Sequence, residues 1–238
     1  MAFSRYFDNS ELAEAIRIAN GQTKGVSHIN KFGYNTAVGG TTETIWDAGN
    51  LYQYPSTATT LTVIATDVAD SGKEIEIQGL DANYEPLTET ITAVRSPGTT
   101  GTSEFQRVFR ALVVSSNDSA NDEIININGD GKTLARISAE KGQTLMALYT
   151  VPANKTAYLK KFQGSVSAQN APGDFSIMVK PFGGSFNIKG KFGTAGTPVT
   201  YDYPVPLKLE EKSDIEIRAT SGNNGAGAIF DLILLDDF

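Results

Sequence analysis

Apolar and polar residues alternate along most of the chain from Thr57 onward. Lys73–Leu80, KEIEIQGL, sets charged side chains against Ile75 and Ile77, the period of a strand with one wet face. Thr59–Ala65 before it and Leu87–Val94 after it share that period. The three predict an antiparallel meander with Leu61, Val63, Ile75, Ile77, Leu87 and Ile91 in its core. Ser96–Ser103, SPGTTGTS, reads as a flexible tip. Phe105–Val114 follows as a buried strand punctuated by Arg107 and Arg110. Glu123–Asn128 and Thr133–Ile137 flank Gly129-Asp130-Gly131-Lys132, a hairpin signal.

A boundary falls at Ser138–Gln143. Beyond it Thr144–Val151, Thr156–Phe162, Ser165–Ala168, Phe175–Val179, Ser185–Ile188 and Val199–Tyr203 are predicted strands. Pro204 and Pro206 consign VPLKLE to a sheet edge or a turn. Ser213–Ala219 alternates cleanly, and Ala228–Leu235 closes the chain as a strand.

A helical period occurs at Ser10–Ala19, where Ser10 can cap and Leu12, Ala15, Ile16 and Ala19 share a face. Phe3, Tyr6 and Phe7 lie upstream. This front end either packs on its own sandwich or acts as an arm that docks on a neighbouring subunit. Gly21–Asn30 is polar and reads as a linker. Between it and the first strands, Phe32–Tyr54 holds Trp46, Tyr34, Tyr52 and Tyr54, with turns at Gly39-Gly40 and Asp47–Asn50. Such an aromatic cluster anchors a sheet or a contact surface.

The expected fold is all-β: two antiparallel β-sandwich or jelly-roll-like modules behind a short N-terminal helical arm. Residues 1–30 form the arm, 31–140 the first β module and 141–238 a C-terminal jelly-roll-like sandwich.

Composition narrows the chemistry. Of 238 residues 40% are hydrophobic, enough for a packed core. With no cysteine, disulfides and thiolate metal sites are out. The lone histidine, His28, reads as solvated or locally bonded, since one imidazole makes no metal site. The net charge of -7 opposes binding to a phosphate backbone. Lys180, Lys189 and Lys191 interleave with Phe182, Phe186 and Phe192 as on a single-strand nucleic-acid surface, but buried phenylalanines on solvated strands explain them better. Asp118, Asp122 and Asp130 lack EF-hand spacing and read as turn residues. Glu210-Glu211 and Asp236-Asp237 are adjacent rather than opposed across a cleft, and no GxSxG elbow occurs. No catalytic residue, metal ligand or cofactor is therefore expected. No apolar run spans a membrane, and the N-terminus lacks the continuous apolar stretch of a secretory signal, so synthesis in a cytoplasm is expected.

FGYNTAVGGTTETIWDAGNLYQYPSTATTLTV, IQGLDANYEPLTETIT, FQRVFRALV, GQTLMALYTVPANKTAYLKKF and YPVPLKLEEKSDIEIRA together resemble tailed-phage virion structural proteins, over roughly Phe32 to Leu235. The resemblance implies a non-enzymatic part of a phage particle and brings no catalytic residues. Within it, a capsid decoration (cement) protein on the outer shell fits the docking arm. It would bind the major capsid protein and copies of itself, as a homo-oligomer such as a trimer. A tail, neck or fibre-attachment component is the alternative, and a carbohydrate-binding sandwich a more remote one. Candidate contact residues are Phe3, Tyr6, Phe7, Tyr34, Trp46, Tyr52 and Tyr54.

Overall fold

The structure is a computed structural model that describes residues 11–114, 120–169 and 171–237. It is almost wholly β. Among the described residues one α-helix, α1 (Glu11–Ala19), precedes the strands, and a 3-10 turn, Val68–Asp70, lies among them. The strands are β1 (Val26–Val38), β2 (Glu43–Thr44), β3 (Thr59–Ala65), β4 (Glu74–Leu80), β5 (Pro86–Thr92), β6 (Val94–Arg95), β7 (Thr99–Phe105) and β8 (Arg107–Val113). Then come β9 (Ile125–Gly129), β10 (Lys132–Ile137), β11 (Leu148–Thr150), β12 (Lys155–Val166), β13 (Pro172–Lys180), β14 (Asn187–Ala195), β15 (Val199–Leu209), β16 (Asp214–Thr220) and β17 (Asn224–Asp236).

Two sandwiches result, and they do not follow one another along the chain. One is built from both ends. Its first sheet has the order β1-β17-β12-β15, and its second β11-β16-β13-β14 with β2 also on β16. β13 occupies one side of β16 along its whole length, so β2 and β11 share the other side. They act as two halves of one broken strand. Thr44 pairs with Arg218, the Ile45 amide donates to the Ile217 carbonyl at 2.9 Å, the Ile217 amide donates to Ala147 at 3.0 Å, and Leu148 pairs with Glu216. Counted so, the sandwich has eight strands in the order of a jelly roll. Its core holds Phe162, Phe175 and Phe230 among aliphatic side chains from both sheets.

The second sandwich is inserted into that broken strand. A sheet ordered β10-β9-β3-β6, with β7 also on β3, packs on the sheet β5-β4-β8. The core between them holds Leu61, Val63, Ile75, Ile77, Phe105, Ile125 and Ile127. The hairpin at Asp130-Gly131 forms as its sequence requires, with φ of 52° and 67° at those two residues.

Several expectations change. The polar stretch to Asn30 is not wholly a linker, because β1 starts at Val26 and pairs antiparallel with β17 from Val26↔Leu235 onward. Polarity misled there because an outer strand of a sheet needs few apolar residues. Residues 31–140 are thus not one hydrogen-bonded unit: β1 and β2 complete the jelly roll, which residues 141–238 do not close alone. The expected meander also splits. β4 and β5 form its hairpin, but β3 lies in the facing sheet, held by β9 and β7. The tip at Ser96–Ser103 is largely strand β7, and β15, with Pro204 and Pro206, does sit at a sheet edge.

Candidate functional site

The two sandwiches meet along a wall that both cores share. At its centre the chain leaves the jelly roll through Ile45-Trp46 and returns through Met146–Tyr149. The Ala147 amide donates to the Ile45 carbonyl at 2.9 Å, and Trp46 bridges Met146. The period of two along a strand sends alternate side chains to opposite faces. Ile45, Ala147 and Tyr149 therefore enter the jelly-roll core, while Trp46, Met146 and Leu148 enter the inserted one.

Beside this wall lies a buried charged cluster. Asp214 and Glu216 project from the same face of β16 and are 1% and 0% exposed. Arg107, on β8 of the inserted sandwich, donates to both Asp214 oxygens, at 2.8 Å from Nε and 3.0 Å from Nη2. Thr150 Oγ1 donates to Asp214 at 2.7 Å, and Lys180 Nζ lies 3.6 Å away. Glu216 accepts from the Tyr54 hydroxyl at 3.1 Å and pairs with Arg218 Nε. Burial pushes the Glu216 carboxyl upward against the pull of Arg218. Burial likewise holds the Tyr54 phenol well above its usual range, and the two neighbouring carboxylates add to this.

Aromatic rings carry the cluster outward. The Arg107 guanidinium sits 5.0 Å from the Tyr54 ring centre and 5.2 Å from that of Tyr84. Lys212 lies over Tyr84 and Phe182, and Arg218 over Phe186 at 4.6 Å. Phe182 and Phe186 belong to the β13–β14 connection of the jelly roll, while Tyr84 belongs to the β4–β5 turn of the insert. The connection therefore latches one sandwich to the other. Each carboxylate is already supplied with donors from both sides of the seam, so the cluster acts as a weld and presents no free acid or base.

A second clasp sits at Asp47, in the turn where the chain leaves the jelly roll. It accepts from Ser138 Oγ at 2.8 Å and from the Leu145 amide, both on the returning segment. Burial raises its carboxyl to about 6.

The candidate contact residues scatter. Trp46 and Tyr52, expected at a contact surface, are 4% and 5% exposed and belong to the inserted core. The Trp46 indole donates to the Gly49 carbonyl at 2.7 Å, and the Tyr52 hydroxyl to the Leu134 carbonyl at 3.0 Å. Their polar tips are thus satisfied internally, which is what lets such large rings be buried. Tyr54 is half-buried in the charged seam. Tyr34 is half-buried on β1, where its hydroxyl occupies the space a side chain at position 225 would need. Phe3, Tyr6 and Phe7 lie outside the described residues. His28 is exposed on β1, with Nε2 3.0 Å from Asp231 Oδ1. Phe192 stacks on Phe162 with centroids 5.1 Å apart, and Lys191 faces Asp174, so the basic–aromatic run divides between core, latch and surface.

Arg107, Asp214, Glu216 and Arg218 do not stand out as a unit in the sequence. An Arg among apolar residues of a buried strand was the available signal. The alternation along β16 was the misleading one, because the face it marks is covered by the insert.

No protein-family model matches the chain, and no curated protein matches it. Among solved structures it is similar to that of the Gx strain of infectious bursal disease virus, at 11% identity and a TM-score of 0.22, over 88% of this chain and 70% of that one. It is also similar to the Gt strain of the same virus, at 11% identity and a TM-score of 0.21, over 90% and 77%. For Sulfolobus Turreted Icosahedral Virus the values are 9% and 0.14, over 90% and 93%.

Proposed function

We propose that the chain is a non-enzymatic virion structural protein, and within the virion a capsid decoration protein that binds the outer surface of a shell of major capsid protein and copies of itself. The observation that carries this reading is the front end. Helix α1 has an apolar face that its own sandwiches leave largely open: Ala15 and Ala19 are exposed, and Ile16 is 41% exposed. Behind it stands a block welded by buried ion pairs. A rigid body with an apolar handle suits attachment, and many weak contacts on a repeating surface add through multivalency. Phe3, Tyr6 and Phe7 are the anchors proposed for that contact.

Jelly rolls serve capsid and lectin domains alike, so the fold by itself does not choose between them. Deleting residues 1–20 tests the reading. The truncated protein is expected to keep its β circular dichroism and its melting temperature while failing to co-sediment with shells. Normal decoration by the truncated form would refute the arm. Antibody labelling of particles under cryo-electron microscopy tests the placement: label on the shell supports decoration, and label on the tail or neck overturns it. Specific binding on a glycan array without shell binding would replace the whole reading with a carbohydrate-binding one.

A further inference from the structure

A groove of about 380 Å³ opens where β1 of the jelly roll passes the β5-β4-β8 sheet of the insert. Its charge is one-sided. Lys31 and Arg110 line it, and none of its lining residues is an Asp or Glu, in a chain that carries a net charge of -7. Lys31 is 8% exposed, and its Nζ donates to the Phe109 carbonyl and lies 5.6 Å from the Phe109 ring centre. Arg110 is half-buried, with Nη2 donating to Gln143 Oε1 at 3.0 Å. Among the described residues no carboxylate comes within ion-pair distance of either. This contrasts with the seam nearby, where Arg107 and Arg218 each have a carboxylate partner. A buried cation without an anion is costly, and here two share one groove. The cost shows in Lys31, whose amine is lowered to about 7 by burial first and by Arg110 second.

We propose that this groove binds a carboxylate, with Lys31 and Arg110 holding the anionic group and Pro86, Leu87 and Phe109 covering the hydrocarbon that bears it. A guanidinium presents a planar fork that matches a carboxylate. A single negative charge is also less costly than a phosphate dianion to desolvate against these apolar walls. His28 lines the groove as well, but its Nε2 is engaged by Asp231, and the Tyr149 phenol is uncharged, with its titration pushed further up by burial. Lys31 and Arg110 are thus the groups that an entering anion meets. The carboxylate belongs either to a free small molecule or to an Asp or Glu side chain of a second copy of this chain.

Titration calorimetry of the full chain with sodium benzoate tests it, with benzyl alcohol as the neutral analogue. Benzoate is expected to bind, benzyl alcohol to bind at least about tenfold more weakly. Benzoate affinity is expected to fall as pH rises above about 7, by up to about tenfold per unit, because binding then requires a proton on Lys31. K31M is expected to abolish binding. R110Q, at a half-buried position, is expected to weaken it about tenfold or more. Equal binding of the two probes, no binding of benzoate, or unchanged affinity in R110Q would overturn the proposal. Sedimentation velocity separates the sources. An oligomer that benzoate dissociates and R110Q weakens assigns the carboxylate to a second copy, and an unchanged mass assigns it to a free molecule.

Discussion

At the scale of single residues, the chain spends its charge on joining two cores. Arg107 and Asp214 are far apart in sequence, each almost fully buried, and bidentate to one another. Breaking such a pair from one side strands a charge, which costs about 3–5 kcal/mol. R107M and D214L are each expected to lose about that much in urea unfolding. The double variant is expected to lose clearly less than the sum, since neither charge then remains stranded and the 29%-exposed Lys180 can turn to solvent. Lys31 supplies the opposite case, a cation buried without an anion. Its folded-state value near 7 lies below the unfolded 10.5, so between those values the unfolded chain binds the extra proton. Stability should therefore rise with pH above about 7, by at most about 1.4 kcal/mol per unit, until the buried tyrosines, raised by burial, reverse the trend near pH 10. Urea midpoints measured across that window should climb in the native protein and stay level in K31M.

At the scale of elements, close approach decides what the strands tolerate. Gly33 on β1 crosses the shared wall so tightly that an added Cβ would lie 2.3 Å from the Ala147 nitrogen and 2.4 Å from the Ile45 oxygen. Both are backbone atoms and cannot swing aside. G33A is expected to lower the melting temperature by far more than G40A, where a Cβ meets nothing within 4 Å. Individual elements were readable because their signals are local. The GDGK hairpin, the Ile75/Ile77 alternation and the prolines of β15 each follow from their own neighbours. What was not readable is which sheet each strand joins. β3 and β4 share one period, yet they face each other across a core, because a period of two fixes the faces of a strand and is silent about its partner. Trp46 and Tyr52 show the same limit. Their size marked them as anchors, but whether an anchor points inward depends on the inserted sandwich that covers them. The pair Asp214 and Glu216 belongs here too, since alternation identified their face and only the insert made that face dry.

At the scale of the whole molecule, the insertion gives the two sandwiches one shared wall. The jelly roll cannot complete its broken strand unless Ile45 and Ala147 meet, and those residues are flanked by Trp46, Met146 and Leu148, which the other core requires. Losing either core removes one side of the wall that supports the other, and the Arg107–Asp214 weld adds to the penalty for separation. Heating should therefore give a single transition. Trp46, the chain's one tryptophan, reports on the inserted core, while far-ultraviolet circular dichroism reports on all the strands. Their midpoints should coincide. F162L, a change confined to the jelly-roll core, should lower both by the same amount, about 2–6 °C for a loss of about 1–1.5 kcal/mol. A Trp46 midpoint that stayed in place while the circular dichroism midpoint fell would mean that the sandwiches unfold independently, and the wall would then be a contact between two folded units in place of a shared structural element.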